Sequence, residues 1–127
     1  MKKTLALLMA LAMLLTLAPL AQAEDALPSV TIVAAGGLGD RSVYDSANTG
    51  LEALKADFGL EGKVIECKED ASLYEQSLIS AAEISDFVVA VGWQFWEPLE
   101  VIAPELPDTK FIFVDNELTG VDNIYSI

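Results

Sequence analysis

Three short apolar runs, Val30–Ala35, Phe87–Val91 and Phe111–Val114, each stop abruptly at glycine or aspartate. None alternates apolar with polar residues, so each fits a β-strand covered on both faces rather than one. Strands of that kind belong to parallel sheets, and parallel neighbours must be joined by crossovers, usually helices. Helical periodicity lies between them as required. Ala47, Leu51, Leu54 and Phe58 recur at spacings of 4, 3 and 4, with Asp45, Glu52, Lys55 and Asp57 on the other side and Gly59 as the stop. Ser42 or Asp45 is the expected cap of this helix.

A second strand is expected over Lys63–Glu69, with Val64, Ile65 and Cys67 inward, and a second helix from Asp70 or Ser72 with Tyr74, Leu78, Ala81 and Ala82 inward. A third helix carries Trp96, Leu99, Ile102 and Ala103 towards the sheet, with Pro98 in its first turn and Pro104 at its end. Val121–Ile127 reads as a last strand after a polar turn over Asn116–Gly120. The order predicts an α/β fold, a three-layer sandwich around a mostly parallel sheet, with right-handed crossovers placing helices on both faces.

Residues 1–23 read as an address. Lys2 and Lys3 precede an apolar run from Leu5 to Leu20, and Ala21-Gln22-Ala23 supplies a small-residue cleavage site. Cleavage after Ala23 leaves residues 24–127 as the exported part, in the periplasm or outside the cell. That part holds 5 basic and 20 acidic residues, a net charge of −15. Such a surface repels nucleic acid and anionic lipid. The absence of histidine excludes a His-based triad, a His general base and a His-ligated metal. The lone Cys67 cannot form an internal disulfide and is expected to pack as a small apolar group.

In a parallel sheet the loops that follow the strands gather along one edge, where ligands of open α/β folds bind. Gly36, Gly37, Asp40 and Ser42 follow the first run, Gly92 and Trp93 the second, and Asp115 the third. The glycines permit close approach of a ligand, Trp93 offers a stacking surface, and Asp115 can accept two hydrogen bonds from adjacent hydroxyls. Asp40, Ser42 and Tyr44 add polar contacts from the first loop. Gly36, Gly37 and Gly39 do not make a dinucleotide fingerprint, Asp40 opposes a phosphate, and no Gly-Lys-Ser/Thr sequence is present. Glu66, Glu69 and Asp70 lack the spacing of a calcium loop and read as a solvated helix entry. No carboxylate pair or nucleophile motif points to catalysis, and no cofactor is implied.

On these residues the chain resembles the N-terminal part of the basic membrane protein family, nucleoside receptors of the periplasmic-binding-protein type. The resemblance covers residues 29–127. It is carried by Gly36-Gly37-Leu38-Gly39-Asp40-Arg41-Ser42 with Ser46-Ala47 and Gly50-Leu51, by Val91-Gly92-Trp93, and by Pro107–Asp115. It implies a type I binding-protein lobe, incomplete at this length, that captures a nucleoside between two lobes for an ABC transporter permease. It further implies that Asp115 contacts the ribose and that a companion chain or further sequence supplies the second lobe. Where the family commonly has Ser-Phe-Asn, this chain has Ser42-Val43-Tyr44, which removes a stacking ring and a base-reading amide. The competing expectation is a small secreted flavodoxin-like structural or interaction module that binds no small molecule.

Overall fold

The computed structural model describes residues 27–127; the expected leader and its cleavage site lie outside the described residues. Five strands form one sheet: β1 (Val30–Ala34), β2 (Gly62–Glu66), β3 (Phe87–Val91), β4 (Lys110–Val114) and β5 (Ile124–Ser126). Their order across the sheet is β2-β1-β3-β4-β5, and every pairing is parallel. Three helices connect them: α1 (Val43–Phe58), α2 (Tyr74–Ala82) and α3 (Trp96–Ile102).

Strand parity assigns each side chain to a face. Val33, Val88, Ala90, Phe111 and Phe113 point to one side and pack with Leu78, Phe95, Leu99 and Ile102 from α2, α3 and the turn before α3. Val30, Ile32 and Val91 point to the other, against Leu51 of α1. The chain steps from β1 outward to β2 over the α1 face, then returns to β3 and on to β4 over the α2/α3 face. Reversing direction moves the crossover to the opposite face, as a uniform hand of connection requires.

The expected α/β sandwich is therefore present, but its two outer layers are unequal. Leu54 and Phe58, expected to be buried by α1, are 40% and 63% exposed. The reason is that α1 is the sole helix on its face among the described residues, so only the stripe centred on Leu51 meets the sheet.

The second strand is shorter than the expected Lys63–Glu69. It ends at Glu66 because Lys68 and Glu69 take positive φ, turning the chain back so that their N–H groups donate to Gly36 O and Ala35 O. Asp70 Oδ1 then accepts from Ser72 N and starts a short 3-10 turn into α2. Cys67 is fully buried and its thiol pKa is raised by desolvation, in keeping with a packing role.

The third helix buries Leu99, Ile102 and, just past its end, Ala103 as expected, but not Trp96. Gly92 opens a 3-10 turn over Trp93–Phe95 before α3 begins, and this brings Phe95 inward to full burial while Trp96 stays partly exposed. Phe95 meets the Tyr74 ring with centroids 5.1 Å apart. Between β4 and β5 residues 115–123 cross the sheet without a helix, burying Leu118 in the α2/α3 cluster. Asn123 Nδ2 anchors the return by donating to the carbonyls of Ala103, Leu106 and Thr109 at 2.9, 2.9 and 3.0 Å.

A candidate ligand rim at the β1–β3 switch point

From β1 the chain travels first to β2 on one side and later to β3 on the other, so the strand order reverses between β1 and β3. Crossovers diverge there, and the C-terminal ends of strands at such a point are where open α/β sheets take ligands. The loops bearing Asp40, Trp93 and Asp115 leave three adjacent strands, β1, β3 and β4, along that same edge.

The first loop is held from within by carboxylates. Asp45 accepts from Gly39 N (2.7 Å, Oδ1) and Arg41 N (2.8 Å, Oδ2), while Asp40 Oδ1 accepts from Ser42 N (2.9 Å) and Asp45 N (3.3 Å). Glu66 Oε2 reaches across from β2 to Leu38 N at 2.8 Å. Ser42 occupies the N-cap position of α1 but makes no side-chain cap bond; Asp40 takes that role from two residues upstream. Asp40 is exposed, and the Ser42 N–H is the main reason its carboxyl pKa lies below the usual value. Donors that could otherwise cradle a phosphate at this helix N-terminus are thus engaged by the chain's own carboxylates.

The space over the glycines is also occupied. A Cβ on Gly36 would collide with the Tyr44 ring, whose Cζ lies 2.9 Å from that position, and one on Gly37 would meet Glu66 Oε2 at 2.9 Å. At Gly92, whose φ is 123°, a Cβ would sit 2.6 Å from Gln94 Oε1 and 3.4 Å from the Tyr44 hydroxyl. Tyr44 therefore fills the slot beside the top of β1, where Gly36 is needed to admit its ring, whereas Gly92 is required by its own φ and by the nearness of Gln94 Oε1. Val43, the neighbouring position of the resemblance, packs instead with the α1-face cluster beneath the loop.

Gln94 went unremarked in the sequence. Its Oε1 is buried without a hydrogen-bond partner, an uncompensated acceptor of the kind that costs about 1–3 kcal/mol. No sequence signal marks it, because its burial depends on the 3-10 turn that follows Gly92. Trp93 is 63% exposed. A recess of about 430 Å³ joins Trp93, Gln94, Trp96 and Glu97 to Asn116, and so links the β3 loop to the turn holding Asp115. A larger recess, about 920 Å³, lies between α2 and α3, with Trp93, Gln94 and Trp96 on its wall.

Asp115 is exposed and has φ of 78°, while its N–H donates to Ile127 O. All four non-glycine residues with positive φ among the described residues, Arg41, Lys68, Glu69 and Asp115, lie in loops on this rim. Left-handed backbone at an ordinary residue costs roughly 1–2 kcal/mol, and such strain concentrates at functional sites. Among the described residues no group of three Cys, Asp or Glu side chains is placed to hold a metal ion.

Comparison with known proteins follows the same outline. An uncharacterized lipoprotein of Pyrococcus abyssi is 35% identical over 83 residues, which are 64% of this chain and 20% of the relative. A lipoprotein fragment from Peptoclostridium difficile 630 superposes with a TM-score of 0.70 at 26% identity, over 79% of this chain and 84% of that one. An ABC transporter solute-binding protein from Aeropyrum pernix K1 gives 0.68 at 28% identity, over 78% of this chain and 28% of that one. The chain thus spans about a fifth of the length of its curated relative and just over a quarter of the solved solute-binding protein. The family model for PnrA-like ABC transporter substrate-binding proteins, Bmp, matches residues 27–127, and the chain belongs to that family.

Proposed function

We propose that this chain forms the ligand-contacting part of the first lobe of an extracytoplasmic substrate-binding protein for an ABC transporter, with nucleosides as its ligand class. The observation that carries the reading is the strained rim: four left-handed ordinary residues and an unpaired buried acceptor lie in the loops where four parallel strands end. Asp115 supplies a carboxylate for adjacent sugar hydroxyls, and exposed Trp93 supplies a face for a planar base. Asp40 and Ser42 shape the first loop, while Tyr44 limits how deeply a ligand enters between Gly36 and Gly92. A second lobe, in the same polypeptide or from a companion chain, closes over the ligand.

Export follows from the leader, with cleavage after Ala23 releasing residues 24–127. The lipoprotein relatives fit a location outside the cytoplasmic membrane. No helix among the described residues is long and apolar enough to cross a membrane. Mass spectrometry of the exported protein checks the cleavage site directly.

Calorimetric titration with adenosine, inosine, cytidine and uridine tests the ligand class. Binding by at least one of them, weakened about tenfold or more by Asp115→Ala and by Trp93→Ala, is the expected result. A second reading, an interaction module with no small-molecule role, is favoured by one observation: Tyr44, Asp45 and Glu66 already fill the first loop. Absence of heat with all four nucleosides, in the presence of a second lobe, would decide for it.

A further inference from the structure

The layer made by α2 and α3 carries one sign of charge. Between Lys68 and Lys110 the sequence holds nine acidic residues and no basic one. The five basic residues that follow the leader, Arg41, Lys55, Lys63, Lys68 and Lys110, line neither the recess between α2 and α3 nor the smaller one beside it. Into the larger recess α2 contributes Glu75, and α3 contributes Glu97 and Glu100.

Helix position accounts for part of this. Glu75 and Glu97 are first-turn residues, where a carboxylate favours the positive end of the helix dipole. It accounts for neither Glu100 nor the aromatic surface among the acids. Trp96 is 38% exposed on the recess wall, with Trp93 beside it and Val101 open at 59%. Large apolar groups clustered in the open and rimmed by polar ones mark a contact site.

The lining also selects the ligand. Among the described residues no three carboxylates converge to hold a metal ion. Separated carboxylates beside indole faces suit a cation whose charge is spread over a plane. A guanidinium stacks on an aromatic ring while its N–H groups reach carboxylates at its edge. The two recesses, about 920 and 430 Å³, adjoin at Trp93, Gln94, Trp96 and Glu97, making a path from α2 to Asn116. Such a path suits an extended chain better than a compact solute. Gln94 stands on the shared wall with an amide oxygen that lacks a donor, and turning that amide outward offers it to the N–H groups of a peptide.

We infer that the recess between α2 and α3 is a docking site for an arginine-bearing segment of a partner protein, with a guanidinium seated on Trp96 among Glu75, Glu97 and Glu100. The site uses neither Asp115 nor the first loop, so it does not depend on the nucleoside reading.

The probe is a fluorescein-labelled peptide of alternating arginine and alanine, followed by fluorescence anisotropy against the purified chain. Saturable binding is expected, at least threefold tighter than for the lysine counterpart and about fivefold weaker at ~0.5 M salt. Trp96→Ala and, separately, Glu97→Gln with Glu100→Gln should each weaken it fivefold or more with unchanged circular dichroism, while Trp96→Phe keeps most of it. Matched changes around the end of α1, Asp57→Asn with Glu61→Gln and, separately, Phe58→Ala, should leave it unchanged, because those exposed groups are outside the recess. Asp115→Ala should also leave it unchanged while weakening nucleoside binding, so the two readings fail separately. Absence of saturable binding, binding that survives Trp96→Ala, or equal weakening by the α1 variants would overturn the inference. So would displacement of the peptide by equimolar spermidine or arginine amide, which assigns the recess to a small cation.

Discussion

The two faces of one sheet are made of nearly the same residue types, yet they are finished differently. On the α2/α3 side Phe111 and Phe113 are fully enclosed, together with Leu78, Phe95 and Leu99. On the α1 side their neighbours Ile112 and Val114 remain partly open. Apolar sequence alone therefore does not tell which face of a strand is covered. Topology decides: the single outward step, β1 to β2, sends one helix to one face, and every later connection goes to the other.

Truncation is the most direct way to break that contrast. Phe113→Ala should destabilise the protein by about 3–5 kcal/mol, because it opens a cavity in an enclosed cluster, whereas Ile112→Ala should cost less than about 1.5 kcal/mol. Urea denaturation of the two variants measures both, and equal losses would mean that the α1 face is covered in solution. A smaller effect, about 1–3 kcal/mol, is expected for Gly36→Ala, since the added methyl must displace the Tyr44 ring. Combining it with Tyr44→Ala should recover part of the loss, a coupling that a double-mutant cycle reads.

Asp115→Gly should change stability in the opposite direction, by up to about 1 kcal/mol, by removing the cost of φ at 78°. If the same variant loses nucleoside binding while gaining stability, the cost of that φ is borne by a residue whose carboxylate the ligand uses. The smallest effect is electrostatic. Asp40, Asp70 and Asp86 all have lowered carboxyl pKa values, principally through hydrogen bonds from Ser42, Ser72 and Ser29 respectively. Their stabilising contribution is complete above the unfolded value near 3.8 and fades as pH falls through the lower folded values. Urea melts between pH 5 and 2 should show this decline, and Asp40→Asn should make it shallower.

The strands were legible because doubly apolar runs closed by glycine or aspartate have few other uses. Helices were legible as elements, less so in their inner faces. Leu54 and Phe58 keep helical spacing with Leu51, but spacing cannot reveal that the neighbouring sheet lacks a second helix. Trp96 shares that spacing with Leu99, yet the 3-10 turn after Gly92 shifts the phase and buries Phe95. At the rim, the common edge of Asp40, Trp93 and Asp115 followed from parallel order, which is a property of connection lengths. The reciprocal bonding of Asp40 and Asp45 did not, because either residue is an acceptable cap by type. Nor did the filling of the slot by Tyr44, which depends on its ring folding back over the bare backbone of Gly36.

The amide of Asn123 fastens the final crossover to three carbonyl oxygens at once. Hydrolysis of that amide to a carboxylate replaces a donor by an acceptor while altering almost no volume. Three attractions become three repulsions, and Ile124 at the start of the outermost strand loses its tether. Were that one nitrogen lost, β5 would keep its pairing with β4 but lose the clamp at its entry, at the end of the sheet opposite the candidate rim.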